Sequence, residues 1–172
     1  MALDELYQEV LLDHYKQPRN KGVLAEPDIR LELKNPFCGD EILLTLKMAE
    51  GRVAEAAFEG HGCVISQASA SMMTEKIKGL SVEEVAIIAG QFTRLVREGT
   101  YERPEGEEFD EIEAFAGVCE FPTRVKCAML AWRTLLQGLQ AHEHKGAGHD
   151  DDAPGAGPAL PHRDEHTLNG KI

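Results

Sequence analysis

Between residues 29 and 59 the chain alternates apolar and polar side chains in three short runs, and this most narrows what it can fold into. Ile29, Leu31 and Leu33 alternate with Arg30, Glu32 and Lys34, and Ile42, Leu44, Leu46 and Met48 alternate with Leu43, Thr45 and Lys47. Val53 to Glu59 forms a third run after the turn at Glu50 and Gly51. A side-chain period of two sends successive residues to opposite faces of a strand, so each run reads as a strand with one buried face. The connections are too short for a crossover, which makes the strands antiparallel neighbours in a meander. Two hairpin connections return the chain to the end where it began. Cys38, in the first turn, and Cys63, just beyond the third strand, are therefore expected at the same end of the sheet.

The first turn, Asn35 to Asp40, carries a thiol and a carboxylate two residues apart, Cys38 and Asp40. Cys63 lies in Gly60 His61 Gly62 Cys63, and Cys127 in Arg124 Val125 Lys126 Cys127. Three thiolates and one carboxylate are a sufficient ligand set for tetrahedral zinc, or for an iron–sulfur cluster at a labile site. The spacing is not that of two Cys-x-x-Cys knuckles, so by itself it leaves two readings open: metal ligands, or small buried apolar residues. Context favours accessible thiols at Cys38, which follows a proline turn, and at Cys63, which stands between glycines and a helical pattern.

At 172 residues and 42% hydrophobic content the chain suits one globular domain with its own core. A formal net charge of −12 repels phosphate backbones and anionic lipid, so neither nucleic acid nor a membrane is an expected partner. The N-terminal stretch Met1 to Glu5 is acidic and has no long apolar segment behind it, unlike a signal peptide or a membrane span. A cytoplasmic location is the expectation. There, four cysteines are ligands or reactive thiols rather than a disulfide framework.

Helices account for the remainder. Leu3, Leu6, Tyr7, Val10, Leu11 and His14 fall at helical spacing before a stop at Pro18, with His14 expected as a hydrogen-bonded structural residue. Residues 15–27 read as a loop. A helix runs from Cys63 to Lys78, its Ala68 Ser69 Ala70 Ser71 run reading as a packing face because no histidine or acid is suitably placed beside it. A helix N-terminus stabilises a thiolate such as that of Cys63. Ser81 and Glu84 form a capping box for the next helix. The run from Glu98 to Glu113 holds eight acidic residues against Arg103 and reads as a solvated loop, followed by one short turn at Ile112, Phe115 and Ala116.

The final helix begins near Pro122, with Val125, Met129, Trp132, Leu136 and Leu139 as its core stripe and Arg124, Cys127 and Ala131 on another face. A domain over residues 1–141 is thus expected, followed by a disordered Gly/Ala/Pro/His/Asp-rich tail at 142–172. The tail's histidines, His142, His144, His149, His162 and His166, suit weak metal collection.

Five segments together resemble the U-type iron–sulfur cluster assembly proteins, the SufU/IscU/NifU N-terminal family: Leu6 to Tyr15, Pro18 to Asn20, the Asn35 to Asp40 turn, Gly60 to Met73, and Phe121 to Leu130. The resemblance covers about residues 3–140. It implies an α+β domain, with a three-stranded antiparallel sheet, helices packed on one face and a metal site at one end. It also implies Cys38, Asp40, Cys63 and Cys127 as ligands. The chain is most similar to the SufU branch: Lys126 stands where the scaffold branch, IscU, has histidine before its third cysteine, and the segment from Cys63 to Cys127 is longer. The Leu-Pro-Pro-Val-Lys peptide read by a dedicated chaperone is missing from Glu120 to Lys126, and Cys119 matches no family cysteine.

That branch implies a zinc-bound sulfur acceptor serving a pyridoxal-phosphate cysteine desulfurase, SufS, and passing sulfur to downstream iron–sulfur assembly proteins. Cys38 is then the acceptor, being on a turn, and Arg124 assists by steadying charge on sulfur or by docking. The alternatives are a scaffold holding a nascent [2Fe–2S] cluster on Cys38, Cys63 and Cys127 with Asp40, and a structural zinc domain. A dithiol oxidoreductase is disfavoured, since the chain has no Cys-x-x-Cys.

Overall fold

A computed structural model describes residues 2–36, 38–103, 105–107 and 109–147. The three strands are β1 (Ile29–Lys34), β2 (Glu41–Ala49) and β3 (Arg52–His61), paired antiparallel in the order β1-β2-β3. Leu31 faces Leu44 across the first pair, and Leu44 faces Phe58 across the second, so one line of apolar residues crosses the sheet. A register shift at Lys47/Met48 marks a bulge near the Glu50–Gly51 turn. The expected meander is present, and its first turn is closed by hydrogen bonds from Asn35 N–H to the Asp40 carbonyl (2.8 Å) and from Gly39 N–H to the Asn35 carbonyl (3.0 Å).

Helices α1 (Ala2–Lys16), α2 (Val64–Ile77), α3 (Val82–Glu98) and α4 (Pro122–Ala147) are joined by a 3₁₀ helix, Glu111–Glu120. Helix α4 packs on β1 and β2 and helix α2 on β3, while α1, α3 and the 3₁₀ helix pack on those helices. The fold is α+β, with its helices on one face of the sheet. The core between these layers holds Ile42, Leu44, Leu46 and Phe58 from the sheet and Met73, Phe92, Phe115 and Trp132 from the helices, all fully buried. Phe92 stacks on Trp132 (ring centroids 4.7 Å apart) and meets Phe115 edge-on (5.3 Å).

Helices α2 and α4 approach closely because small residues line the contact. Ala68, Ser69, Ala70 and Ser71 are all fully buried, as a packing face requires. Ser69 Oγ donates to the Ala128 carbonyl (2.7 Å) and accepts from Trp132 Nε1–H (3.2 Å), so its hydroxyl is satisfied inside the core. The capping box of α3 is also present: Ser81 Oγ accepts from Glu84 N–H, and the Glu84 carboxylate accepts from Ser81 N–H.

Several boundaries differ from the expectation. The single turn before Gly117 is a ten-residue 3₁₀ helix that runs through Gly117 and includes Cys119. Leu136 is exposed and Leu135 fills the core in its place, because the helix presents residues 128, 131, 132, 135 and 139 inward. Leu6, expected in the apolar stripe of α1, is 39% exposed. Helix α4 continues to Ala147, so residues 142–147 of the expected tail are helical, and the rest of that tail lies outside the described residues. Tyr15 and Lys16, expected in the loop, belong to α1; the loop that follows lends β3 a partner, Gly22 N–H donating to the Phe58 carbonyl and Phe58 N–H to that of Asn20. No helix among the described residues is long and apolar enough to cross a membrane.

Candidate metal centre

Three segments deliver the expected ligands to the end of the sheet. Cys38 rides on the β1–β2 turn and Asp40 immediately precedes β2. Cys63 is the N-cap of α2, its sulfur accepting Ser66 N–H at 3.5 Å, which places it one residue outside the helix that the sequence pattern gave it. Cys127 lies in the second turn of α4, its thiol directed to the Thr123 carbonyl at 3.7 Å. Exposure falls in steps: Cys38 is exposed, Cys63 half-buried and Cys127 buried.

Asp40 is the hub. Its side chain is fully buried, and Oδ2 accepts from the Cys38 thiol at 2.7 Å and lies 4.0 Å from Cys63 Sγ. Oδ1 accepts Cys63 N–H at 2.9 Å. The Cys38 and Cys127 sulfurs are 3.4 Å apart. Ligand atoms of Cys38, Asp40 and Cys127 all lie within 4.8 Å of one another, an arrangement in which a metal ion can be held; Cys63 borders this group through Asp40. The approach is close enough to require glycine at two positions. A Cβ at Gly60 would collide with the Glu41 carbonyl oxygen, and one at Gly62 with Asp40 Oδ1 and Ser66 Oγ.

The electrostatics follow from this packing. Burial pushes the Asp40 carboxyl up, but hydrogen bonds from the Cys38 thiol, Cys63 N–H, Cys127 and Ser66 outweigh it and hold the group below its usual value. Burial likewise pushes the Cys127 thiol far up, and its hydrogen bonds to Asp40 and Cys38 add to the effect. Arg124 is exposed, and its guanidinium is held charged by the Cys63 sulfur first and by Cys127 second. It stands beside the cluster as the expected non-ligand cation.

Residues 6–128 match the model of the NifU-like N-terminal domain. The chain belongs to that family. Among curated relatives it is 45% identical over 141 residues to the zinc-dependent sulfurtransferase SufU of Bacillus subtilis, covering 82% of this chain and 94% of that one. It is 42% identical over 138 residues to the iron–sulfur cluster assembly scaffold protein IscU of Streptococcus pyogenes, covering 80% and 85%. A crystal structure of the N-terminal part of a nitrogen-fixing NifU-like protein from Brucella abortus superposes with a TM-score of 0.73 at 26% identity, over 84% of this chain and 99% of that one.

The remaining sequence-predicted residues fall outside the cluster or differ from expectation. Cys119, half-buried, lines a groove of about 730 Å³ with Tyr7, Leu11, Phe121 and Arg124, and its sulfur lies against Gly99. The acidic run is more than a solvated loop. Asp110 is paired with Lys76 (2.6 Å) and accepts the Tyr101 hydroxyl (3.1 Å), and Glu113 takes a two-pronged bond from Arg103 (2.7 Å each). Burial raises the Asp110 carboxyl, but the Lys76 and Ile112 N–H bonds hold it below its usual value.

His14 is fully buried and hydrogen-bonded, as a structural histidine should be. Its Nδ1 lies 2.9 Å from Ser71 Oγ and its Nε2 2.7 Å from Glu111 Oε2. The fold thus sets a histidine beside Ser71, contrary to the sequence expectation, with an acid on the ring's other nitrogen; His14 is 57 residues from Ser71 and 97 from Glu111 along the chain. Ser71 is still no nucleophile: it is fully buried and its oxygen accepts Arg19 N–H at 2.8 Å.

Proposed function

We propose that this protein is a sulfur acceptor in iron–sulfur cluster assembly, of the SufU branch of its family. In this reading it holds zinc through Cys38, Asp40, Cys63 and Cys127 and takes persulfide sulfur from a cysteine desulfurase of the SufS type. The observation that carries the reading is the graded exposure of three thiols around one buried carboxylate. Soft sulfur donors with one carboxylate oxygen suit zinc, and the donors of Cys38, Asp40 and Cys127 already stand within 4.8 Å of each other. When bound, zinc would keep the thiols as thiolates and mask them.

The chain's own residues then divide the work. Cys63 and Cys127 are fixed by helices α2 and α4, whereas Cys38, on a turn and exposed, is the thiol a partner can reach. Its thiolate attacks the outer sulfur of the partner's persulfide; a new S–S bond forms as the old one breaks, and the partner's cysteine leaves as a thiolate. One sulfur atom moves and no external oxidant or reductant is consumed. Arg124 supplies positive charge beside the sulfurs for the persulfide that results. The sulfur then passes to downstream iron–sulfur assembly proteins in the cytoplasm. Lys126 and the 45% identity to a zinc-dependent sulfurtransferase support this branch.

The relative in Streptococcus pyogenes, a scaffold, favours a second reading in which the same cysteines and Asp40 carry a [2Fe–2S] cluster. Protein purified without added iron separates the two, the acceptor reading giving one zinc per chain and no cluster absorbance. With a cognate desulfurase and cysteine, mass spectrometry after a single turnover should find one added sulfur on Cys38, and alanine production should rise. Arg124→Ala should slow that turnover and retain zinc. Unchanged alanine production with no sulfur on any cysteine would end the acceptor reading.

A further inference from the structure

A second group of ligand atoms lies outside the thiol cluster, on the sides of three helices. His14 closes the last turn of α1, Glu75 lies on α2, and Glu111 opens the 3₁₀ helix. One nitrogen or oxygen from each falls within 4.8 Å of the other two. His14 is buried while the two glutamate side chains are about half exposed, at 47% and 49%, so the group opens to solvent at its acidic rim. We propose that His14, Glu75 and Glu111 form a second cation site, which takes a divalent transition metal through one nitrogen and two carboxylate oxygens.

The arrangement has the parts that such a site needs. Metal–ligand bonds of about 2 Å set neighbouring donors roughly 3 Å apart, and His14 Nε2 already lies 2.7 Å from Glu111 Oε2. A half-exposed glutamate on α2 closes the remaining gap by rotation about its side chain. The ring is aimed from behind: Nδ1 meets Ser71 Oγ at 2.9 Å, and Ser71 is one helical turn before Glu75, so a single face of α2 supplies both the support and a ligand.

Without metal, Nε2–H donates to Glu111, because a carboxylate only accepts, and Nδ1 meets the Ser71 hydroxyl. With metal on Nε2 the ring proton moves to Nδ1 and the hydroxyl, able to serve in either role, accepts it. Two carboxylates and a neutral imidazole offer two negative charges. Arg19 sits 3.8 Å from Glu75 and makes its closer bond to Asp13. Oxygen and nitrogen donors select harder ions than the thiols do, so this site and the thiol cluster prefer different metals. The inference stands whether the thiol cluster carries zinc or a [2Fe–2S] centre.

Manganese(II) is the discriminating probe, since it favours oxygen over sulfur. In titrations of the full-length protein followed by electron paramagnetic resonance, one Mn²⁺ should bind per chain. Glu75→Gln and Glu111→Gln, both at exposed positions that leave the core intact, should each weaken it by about tenfold or more. Cys38→Ser should leave it unchanged. The proposal is overturned if no Mn²⁺ binds at millimolar metal, if both glutamine variants bind as the parent does, or if the cysteine variant alone loses binding.

Discussion

The two polar clusters of this protein are built on different supports. Cys38, Asp40 and Cys63 come from a turn, a strand entrance and a helix cap, with only Cys127 inside a helix. His14, Ser71 and Glu75 come from helix interiors, joined by Glu111 at the start of the 3₁₀ helix. In the first cluster the ligands bond chiefly to one another through Asp40, and one sulfur stays exposed. In the second, the imidazole is pinned at both nitrogens and fully buried. Segment ends leave the outermost thiol exposed, and helix sides tie elements together. Donor softness adds to the contrast, since thiols and carboxylates sort metals differently.

Removing a thiol should break this contrast most sharply. Cys38→Ser, Cys63→Ser and Cys127→Ser should each lower zinc affinity by more than the roughly 10–100-fold that loss of a supporting hydrogen bond costs, because a soft ligand itself is lost. Competition with a chromophoric chelator measures this, and full zinc retention in Cys127→Ser would show that the ligand on α4 is misplaced. Global stability should change far less in these variants than metal affinity.

His14→Ala should show the opposite pattern. Truncating a fully buried ring that bridges α1, α2 and the 3₁₀ helix should cost about 2–4 kcal/mol in urea unfolding, from the cavity and the hydrogen bonds lost. Zinc content should be retained in the folded fraction. A cost below about 0.5 kcal/mol, ordinary for surface positions, would mean that the imidazole does not hold these elements together.

Cys119→Ser should have the smallest effect. Its sulfur packs against Gly99 in the groove behind Arg124 and belongs to neither cluster. Metal content and sulfur acceptance should both match the parent, and loss of either by metal analysis or persulfide mass would make Cys119 part of the site.

Local pattern made much of this legible. Alternation at Ile29–Leu33 and Ile42–Met48 gave the strands, short turns gave the meander, and Ser81 with Glu84 gave the start of α3, because each depends on residues within a few positions. A helical stripe is wide, and the choice between neighbours 135 and 136 rests on what faces them, so the sequence pattern alone points to Leu136 where Leu135 is buried. In sequence the acidic run reads as solvated because its counterions, Lys76 and Arg103, are recognisable as partners only once the chain has folded.

The sequence by itself determined that Cys38 and Cys63 share an end of the sheet, since two hairpins leave the chain no other place to bring them. It also determined the family, through motifs that agree in order and spacing. Tertiary structure alone decided that Asp40 is the buried hub on which thiols from three segments converge, and how exposure is graded among them. It alone joined His14 to Ser71 and Glu111 across 57 and 97 residues. Periodicity records which way a side chain faces within its own element; which distant group it meets depends on how whole elements pack, and no local pattern carries that.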